Sequence, residues 1–451
     1  DSGHALLNSR VWPEDEQRRE EQMPGPDAPL SAQRTERDAA SAQYRRVRAA
    51  SEALCEPLGT EDYVIQTVVE TSPPKWHLAH VSWFFETFLL IPFLAGYKPF
   101  HPRYDYLFNS YYEQLDSGFW PRPQRGLLSR PTVEEIYAYR RHVDDAMARL
   151  LDGCPERDWP VVDARLRIGI NHEQQHQELL TTDIKHNFSV NPLRPAYRED
   201  LARPVEASAA PLAFVDFEGG ITEMGAGGSG FAYANELPRH RVLLSPYRLA
   251  ERSVTNGEYL EFVADGGYRR PELWLSDGWQ AVRGKGWCAP LYWERIDGDW
   301  HEMTLGGLRP LDLAAPVCHV SYFEADAFSS WAGKRLPTEA EWEHAAAALP
   351  VEGNFVDSGL FHPRPAAGEG LRQLFGDVWE WTASAYLPYP GYRAPEGALG
   401  EYNGKFMCGQ MVLRGGSCAT PADHARASYR NFFYPHERWQ FKGFRLAEDA
   451  G

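Results

Sequence analysis

His172 and His176 stand four residues apart in the run Asn-His-Glu-Gln-Gln-His-Gln-Glu (171–178), a spacing that on a helix aims two imidazoles at one point. Two neutral imidazoles converging inside a bundle are the beginning of a metal site. The same segment reads as H-E-x-x-H, the zinc-peptidase signature, in which Glu173 serves as general base beside the zinc. The motif alone leaves both chemistries open. At about 100° per residue, Glu178 lies far round the helix from the His172/His176 face and cannot easily share their metal. A third ligand has to come from elsewhere. It is supplied by Trp-His-Leu-Ala-His-Val-Ser-Trp-Phe-Phe-Glu (76–86), where Trp76, Ala79, His80 and Trp83 share one helical face and His80 points inward. A single histidine on such a face is more often a hydrogen-bonded core residue; the company of His172 and His176 makes His80 a ligand.

Positioning these side chains requires helices that pack. The chain of 451 residues is 43% hydrophobic, which suits two globular domains with substantial cores. Residues 1–30 form a polar lead-in. From 31 to 190 the periodicity is helical, over Ser31–Cys55, a stretch near 61–71, a helix from Ser72-Pro-Pro through Leu90, and helices near 132–152 and 160–187. Four main helices imply a bundle, and bundle cores assemble metal sites from facing side chains. Residues 191–210, with Pro192, Pro195 and Pro204, read as a linker. From 211 to 451 short strands such as Arg241–Leu244 and Met411–Arg414 alternate with Gly, Pro and Trp, and helices are expected at Asn256–Asp265, Tyr322–Gly333 and Thr338–Ala348. This half reads as an irregular α+β domain.

Composition narrows the partners. A formal net charge of −17, from 46 Lys+Arg against 63 Asp+Glu, argues against nucleic acid or an anionic membrane and for a small-molecule substrate. An aromatic content of 13% leaves rings available to stack on a cationic or planar ligand. The six cysteines form no C-x-x-C pair, so they read as ordinary reduced thiols of a cytoplasmic protein. No long apolar run or secretory signal is present.

Taken in order, Leu78-Ala-His80, His172-Glu-Gln-Gln-His176-Gln-Glu178, Gly333-Lys-Arg-Leu-Pro-Thr-Glu-Ala-Glu-Trp-Glu343, Gly376-Asp-Val-Trp-Glu-Trp381, Arg414-Gly-Gly-Ser417 and Gly443-Phe-Arg445 resemble the non-haem iron sulfoxide synthases of ergothioneine biosynthesis (EgtB type). The resemblance spans roughly residues 35–450. It implies a DinB-like four-helix bundle followed by a C-type-lectin-like α+β domain of the formylglycine-generating-enzyme (sulfatase-modifying) type. It also implies that His80, His172 and His176 hold Fe(2+), leaving open positions for substrates and O2. The implied reaction joins the thiol of cysteine to C2 of the imidazole of hercynine (Nα-trimethylhistidine), with one oxygen atom placed on sulfur.

Position by position, Gln175, Tyr402, Asn431 and Phe432 match residues that contact hercynine, whose quaternary ammonium favours aromatic faces. Arg122 and Arg125 match an arginine pair that grips the thiol substrate's carboxylate. Two departures stand out. Mycobacterial-type relatives carry Asn-Trp-Asp where this chain has Asn431-Phe432-Phe433; loss of the acidic residue at Phe433 favours cysteine over γ-glutamylcysteine. The relatives' proton-donating tyrosine falls on Leu399, so the donor is expected from Tyr111 or Tyr112, because a phenol with pKa near 10 is protonated at neutral pH.

Other readings are weaker. A zinc peptidase lacks its downstream ligand motif after His176. A formylglycine-generating or copper-thiol oxidase requires a cysteine pair, and Cys418 has no partner in Ala427–Arg430. Ovothiol-type coupling of cysteine to C5 of histidine usually comes with a methyltransferase domain, and no Gly-rich loop for a methyl donor is present.

Overall fold

The computed structural model describes residues 30–201, 209–228 and 230–450. Residues 1–29 of the expected lead-in and 202–208 of the expected linker lie outside the described residues.

The bundle consists of α1 (Leu30–Ala53), α2 (Pro74–Phe85), α3 (Val133–Gly153) and α4 (Trp159–Val190). Each start has a local cause. Proline occupies the first turn of α2 and of α4, where its missing N–H costs nothing. At α3, Thr132 caps the helix, its hydroxyl accepting from Glu135 N while Glu135 accepts from Thr132 N. Every residue of α2 is buried, as expected of a helix enclosed by its neighbours. It runs on through a π-helical turn, Glu86–Leu90, to Phe93. The stretch near 61–71 departs from expectation: only Thr60–Val64 forms a 3-10 turn. Beyond it the Asn187 side chain bonds Thr67 N and Oγ1, and Gln66 Nε2 donates to the carbonyls of Thr71 and Arg122. Side-chain bonds to backbone there replace a helical ladder.

The close approach of α2 and α4 depends on one small residue. A Cβ at Gly169 of α4 would lie 2.4 Å from Cε1 of Phe85. That ring is itself wedged edge-on against Tyr44, 4.9 Å away.

The second domain opens with β1 (Phe214–Phe217), β2 (Gly220–Met224), β3 (His240–Leu244) and β4 (Tyr247–Ala250). A meander β5 (Trp293–Ile296), β6 (Asp299–Thr304) and β7 (Gly307–Pro310) follows, then β8 (Trp379–Ala385), β9 (Met411–Arg414), β10 (Asn431–Phe433), β11 (Lys442–Gly443) and β12 (Ala447–Asp449). The strands pair as β1-β4-β12, β2-β3, β5-β6-β7 and β10-β9-β8-β11. Helices α5 (Asn256–Ala264), α7 (Tyr322–Trp331) and α8 (Glu339–Ala346) begin at capping boxes on Thr255, Ser321 and Thr338. Between them, α6 (Ser276–Lys285) was not expected; Gly278 and Gly284 within its ten residues mask its periodicity. The motif residues of this domain form a buried ionic frame. Arg445 makes two 2.7 Å bonds to Glu380, which also accepts from Trp342 Nε1. Arg414 pairs with Glu343 and Glu339 at 2.8 and 3.2 Å.

One face of α4 docks on this frame. Glu178 accepts from Trp379 Nε1, from Ser417 Oγ at 3.2 Å and from Thr420 Oγ1 at 2.7 Å. Thr182 donates to Gln440 at 2.7 Å, and Lys185 meets His319 Nε2 at 2.6 Å. The opposite face carries His172 and His176 toward α2. Among the described residues no helix is long and apolar enough to cross a membrane.

Gly169→Ala tests the α2–α4 contact. Helix propensity alone would stabilise the protein by about 1 kcal/mol. The clash with Phe85 is expected to reverse the sign and lower Tm in calorimetry, with a parallel loss of metal binding as His80 is pushed from its partners.

Candidate metal centre

His80, His172 and His176 bring one ring nitrogen each to within 4.8 Å of one another, the single such cluster of His, Cys, Asp or Glu among the described residues. His80 Nε2 and His172 Nε2 are 3.2 Å apart. His80 is fully buried, its ring stacked between Trp76 and Trp83 at 4.6 and 5.3 Å. Its Nδ1–H donates to the Phe108 carbonyl at 2.6 Å, which leaves Nε2 as a lone pair facing the cluster. His172 packs against Phe84, and its Nδ1 is buried without a partner. Burial pushes His172 down to about 3 and holds His80 and His176 well below the usual range, with mutual repulsion adding to the latter two. All three imidazoles are therefore neutral, the form in which they bind a metal. Three neutral imidazoles with their ring nitrogens this close, one of them shown to present a lone pair, fit a divalent cation.

The two glutamates of the motif face elsewhere. Glu173 is fully buried and bonded to Arg48 and Arg140 at 3.1 Å each and to Ser51 at 2.7 Å. Burial would raise its carboxyl, but the two arginines hold it below the ordinary range. A carboxylate locked in this way is no general base for zinc-bound water, so the peptidase reading has no geometry behind it. Glu178 belongs to the interdomain contact, consistent with its exclusion from the metal face.

An aromatic and amide wall rises beside His172. The Tyr402 ring lies 5.5 Å from it and stacks on Tyr233 at 5.4 Å. Gln175 accepts from Tyr402 OH and donates through Nε2 to Tyr429 OH at 2.6 Å. Tyr429 continues to His424 Nε2, and His424 Nδ1 to Asn171 Oδ1, each at 3.0 Å. Neither Tyr429 nor His424 was singled out from sequence, although Tyr429 lies two residues before Asn431. On β10 successive side chains part: Phe432 stacks on Tyr386 at 4.1 Å, whereas Phe433 packs on Trp439 and lies under Lys442 Nζ at 3.7 Å. Asn431 accepts from Phe432 N. None of these three touches the histidines directly.

On the other side Arg125 lies 3.4 Å above the Trp76 ring, the same ring that stacks on His80. Its guanidinium donates to Ser72 and Ser110 hydroxyls at 3.0 Å each and is 3% exposed, yet among the described residues no carboxylate lies within ion-pair distance of it. Arg122 is exposed and donates to the Glu70 carbonyl. Tyr111 and Tyr112 stack at 4.7 Å; Tyr111 OH donates to the Tyr402 carbonyl at 3.3 Å, while Tyr112 OH is buried without a partner. Burial pushes the Tyr112 phenol well above its ordinary 10.

The DinB superfamily matches residues 43–180 and the sulfatase-modifying factor enzyme 1-like domain residues 202–450. A hercynine oxygenase of Mycolicibacterium thermoresistibile is 33% identical over 412 residues, covering 84% of this chain and 88% of its own. The chain belongs to the hercynine oxygenase family. The hercynine oxygenase of Mycobacterium tuberculosis is 34% identical over 84% of this chain and 91% of its own. The formylglycine-generating enzyme of Streptomyces coelicolor is 31% identical over only 52% of this chain. Membership in the hercynine oxygenase family thus covers both halves, while the second likeness covers one. All six cysteines are free thiols.

Alanine at His80, His172 or His176 is expected to abolish stoichiometric metal binding, read by elemental analysis of the purified protein. Glu173→Gln is expected to keep the metal while lowering unfolding stability by about 3 kcal/mol, because two buried arginines lose their one fully buried counter-charge and keep only the partly exposed Asp144 and Glu52. Metal loss in that variant without destabilisation would return Glu173 to the site.

Proposed function

We propose that this protein is an iron(II)- and O2-dependent sulfoxide synthase of ergothioneine biosynthesis, acting in the cytoplasm on hercynine and cysteine. The carrying observation is the cluster of three neutral histidines, two buried and His176 half-buried, without a carboxylate, within a chain of this family. Held by His80, His172 and His176, Fe(2+) would supply oxygen activation and a place for the substrates. The net reaction balances without another reductant. Sulfur loses its proton, C2 of the imidazole loses its hydrogen, a C–S bond and an S–O bond form, and the second oxygen atom leaves as water. The two substrates furnish all four electrons that O2 takes up.

The protein's own groups bind and orient. Tyr402, Gln175 and Tyr429 form a rigid wall next to His172, suited to hercynine, with Asn431 and Phe432 beyond it; aromatic faces favour its trimethylammonium group. Arg125 is a desolvated cation lacking an anion, and burial, then Arg122, depress its pKa. The carboxylate of the thiol substrate would complete it, with Arg122 at the rim. Phe433 offers no carboxylate, and its face is already taken by the Lys442 ammonium, which supports cysteine rather than γ-glutamylcysteine. Of the two stacked phenols, Tyr112 has the uncommitted hydroxyl, so it is the proposed proton donor and Tyr111 its support.

The test is to load the protein anaerobically with Fe(2+), add hercynine, O2 and either thiol, and identify products by mass spectrometry. Preferential formation of hercynyl-cysteine sulfoxide is expected. Turnover only with γ-glutamylcysteine would overturn the reading of Phe433, and coupling only to histidine would move the enzyme to the ovothiol branch. In Tyr112→Phe the ratio of sulfoxide to cysteine sulfinate is expected to fall about a hundredfold, the lower end of what general acid catalysis contributes; an unchanged ratio removes Tyr112 from that role.

A further inference from the structure

His77, three residues before His80, is 3% exposed and makes two bonds that the proposed reaction does not require. Its Nδ1 lies 2.8 Å from Nδ1 of His176, and its Nε2 lies 3.0 Å from Oδ2 of Asp183. Asp183 Oδ2 also accepts from Ser72 N at 2.7 Å, and Oδ1 from Trp439 Nε1 at 3.2 Å. Three donors converge on this carboxylate, so it acts as an acceptor throughout. The protons of the chain follow by elimination. His77 must carry its hydrogen on Nε2, so a neutral His77 can only accept at Nδ1. His176 must then carry its own hydrogen on Nδ1, which leaves Nε2 as the lone pair for a metal.

The three candidate ligands consequently differ behind the ring. His80 is backed by a neutral carbonyl, His172 by nothing, and His176 by an imidazole tied to a carboxylate. A ligand whose far N–H is drawn toward negative charge becomes a stronger electron donor, and such outer partners govern affinity. We propose that His77 and Asp183 are positioning residues for the metal: they fix His176 in its binding tautomer and place the Asp183 charge behind it, so that its ring donates more strongly to a bound metal. This rests on the three-histidine reading above. Asp183 joins two further pieces of the fold, the start of α2 through Ser72 and the second domain through Trp439.

The test uses the full-length apo-protein titrated with Co(2+), followed by its visible spectrum, in parent, Asp183→Asn, His77→Phe and Trp439→Phe forms. Asp183→Asn keeps the shape and loses the charge; Trp439→Phe loses the same interdomain bond and keeps the charge. Expected is a fall of about 10–100-fold in Co(2+) affinity for the Asn and His77 variants, with Trp439→Phe within about twofold of the parent. Equal losses in Asp183→Asn and Trp439→Phe, or none in Asp183→Asn, would overturn the relay and leave the metal site standing. A parent that binds no Co(2+) would instead overturn the three-histidine reading itself. Should the variants misfold, the parent answers alone. In Zn(2+)-loaded, histidine-labelled protein, ring-nitrogen NMR must show His176 protonated at Nδ1 and His77 at Nε2; the opposite tautomers would refute the proposal.

Discussion

The four-residue repeat of α4 is the constraint on which the rest depends. A helix keeps i and i+4 on one side, so a single rod presents His172 and His176 to α2 and, from another side, Glu178 and Thr182 to the second domain. The bundle needs Gly169 to let α2 close on α4, and the second domain needs the polar stripe of α4 to satisfy Trp379, Ser417 and Thr420.

Buried charge is handled in two ways. Where structure is the purpose, charges are paired: Glu173 with Arg48 and Arg140, Glu380 with Arg445, and Arg414 with Glu339 and Glu343. Such pairs contribute little net stability over an apolar core but penalise any arrangement that separates them. Around the histidines, groups are left incomplete. Among the described residues Arg125 has no anion within ion-pair distance, and the Tyr112 hydroxyl and His172 Nδ1 have no hydrogen-bond partner. An incomplete buried polar group costs free energy, and these three lie near one histidine cluster.

Much of this was legible in the sequence because the relevant periods are short. The i,i+4 histidines, the inward face of His80 and the exclusion of Glu178 all follow from helical geometry. Arg125, Gln175 and Tyr402 were named only through a family resemblance, and neither the stack of Arg125 on Trp76 nor the bond between Gln175 and Tyr402 was foreseen, since nothing local links positions 49 and 227 residues apart. His77 and Asp183 escaped notice for a different reason. His77 lies off the face that His80 shares with Trp76, Ala79 and Trp83 and drew no role, and Asp183 lies seven residues beyond His176, two turns along the same face of α4. The stretch 61–71 misled because its backbone is claimed by the side chain of Asn187, more than a hundred residues away.

The bonds from Gln175 to Tyr402 and Tyr429 have a geometric consequence of their own. Gln175 adjoins His176 in the chain, so the span from ligand to substrate wall is set by one helical step, about 1.5 Å of rise, plus one amide side chain. Relative rocking of the two domains would have to break these bonds before it altered that span. The site is thus gauged by a covalent ruler, and the second domain is registered to the metal by the helix that carries the metal's own ligands.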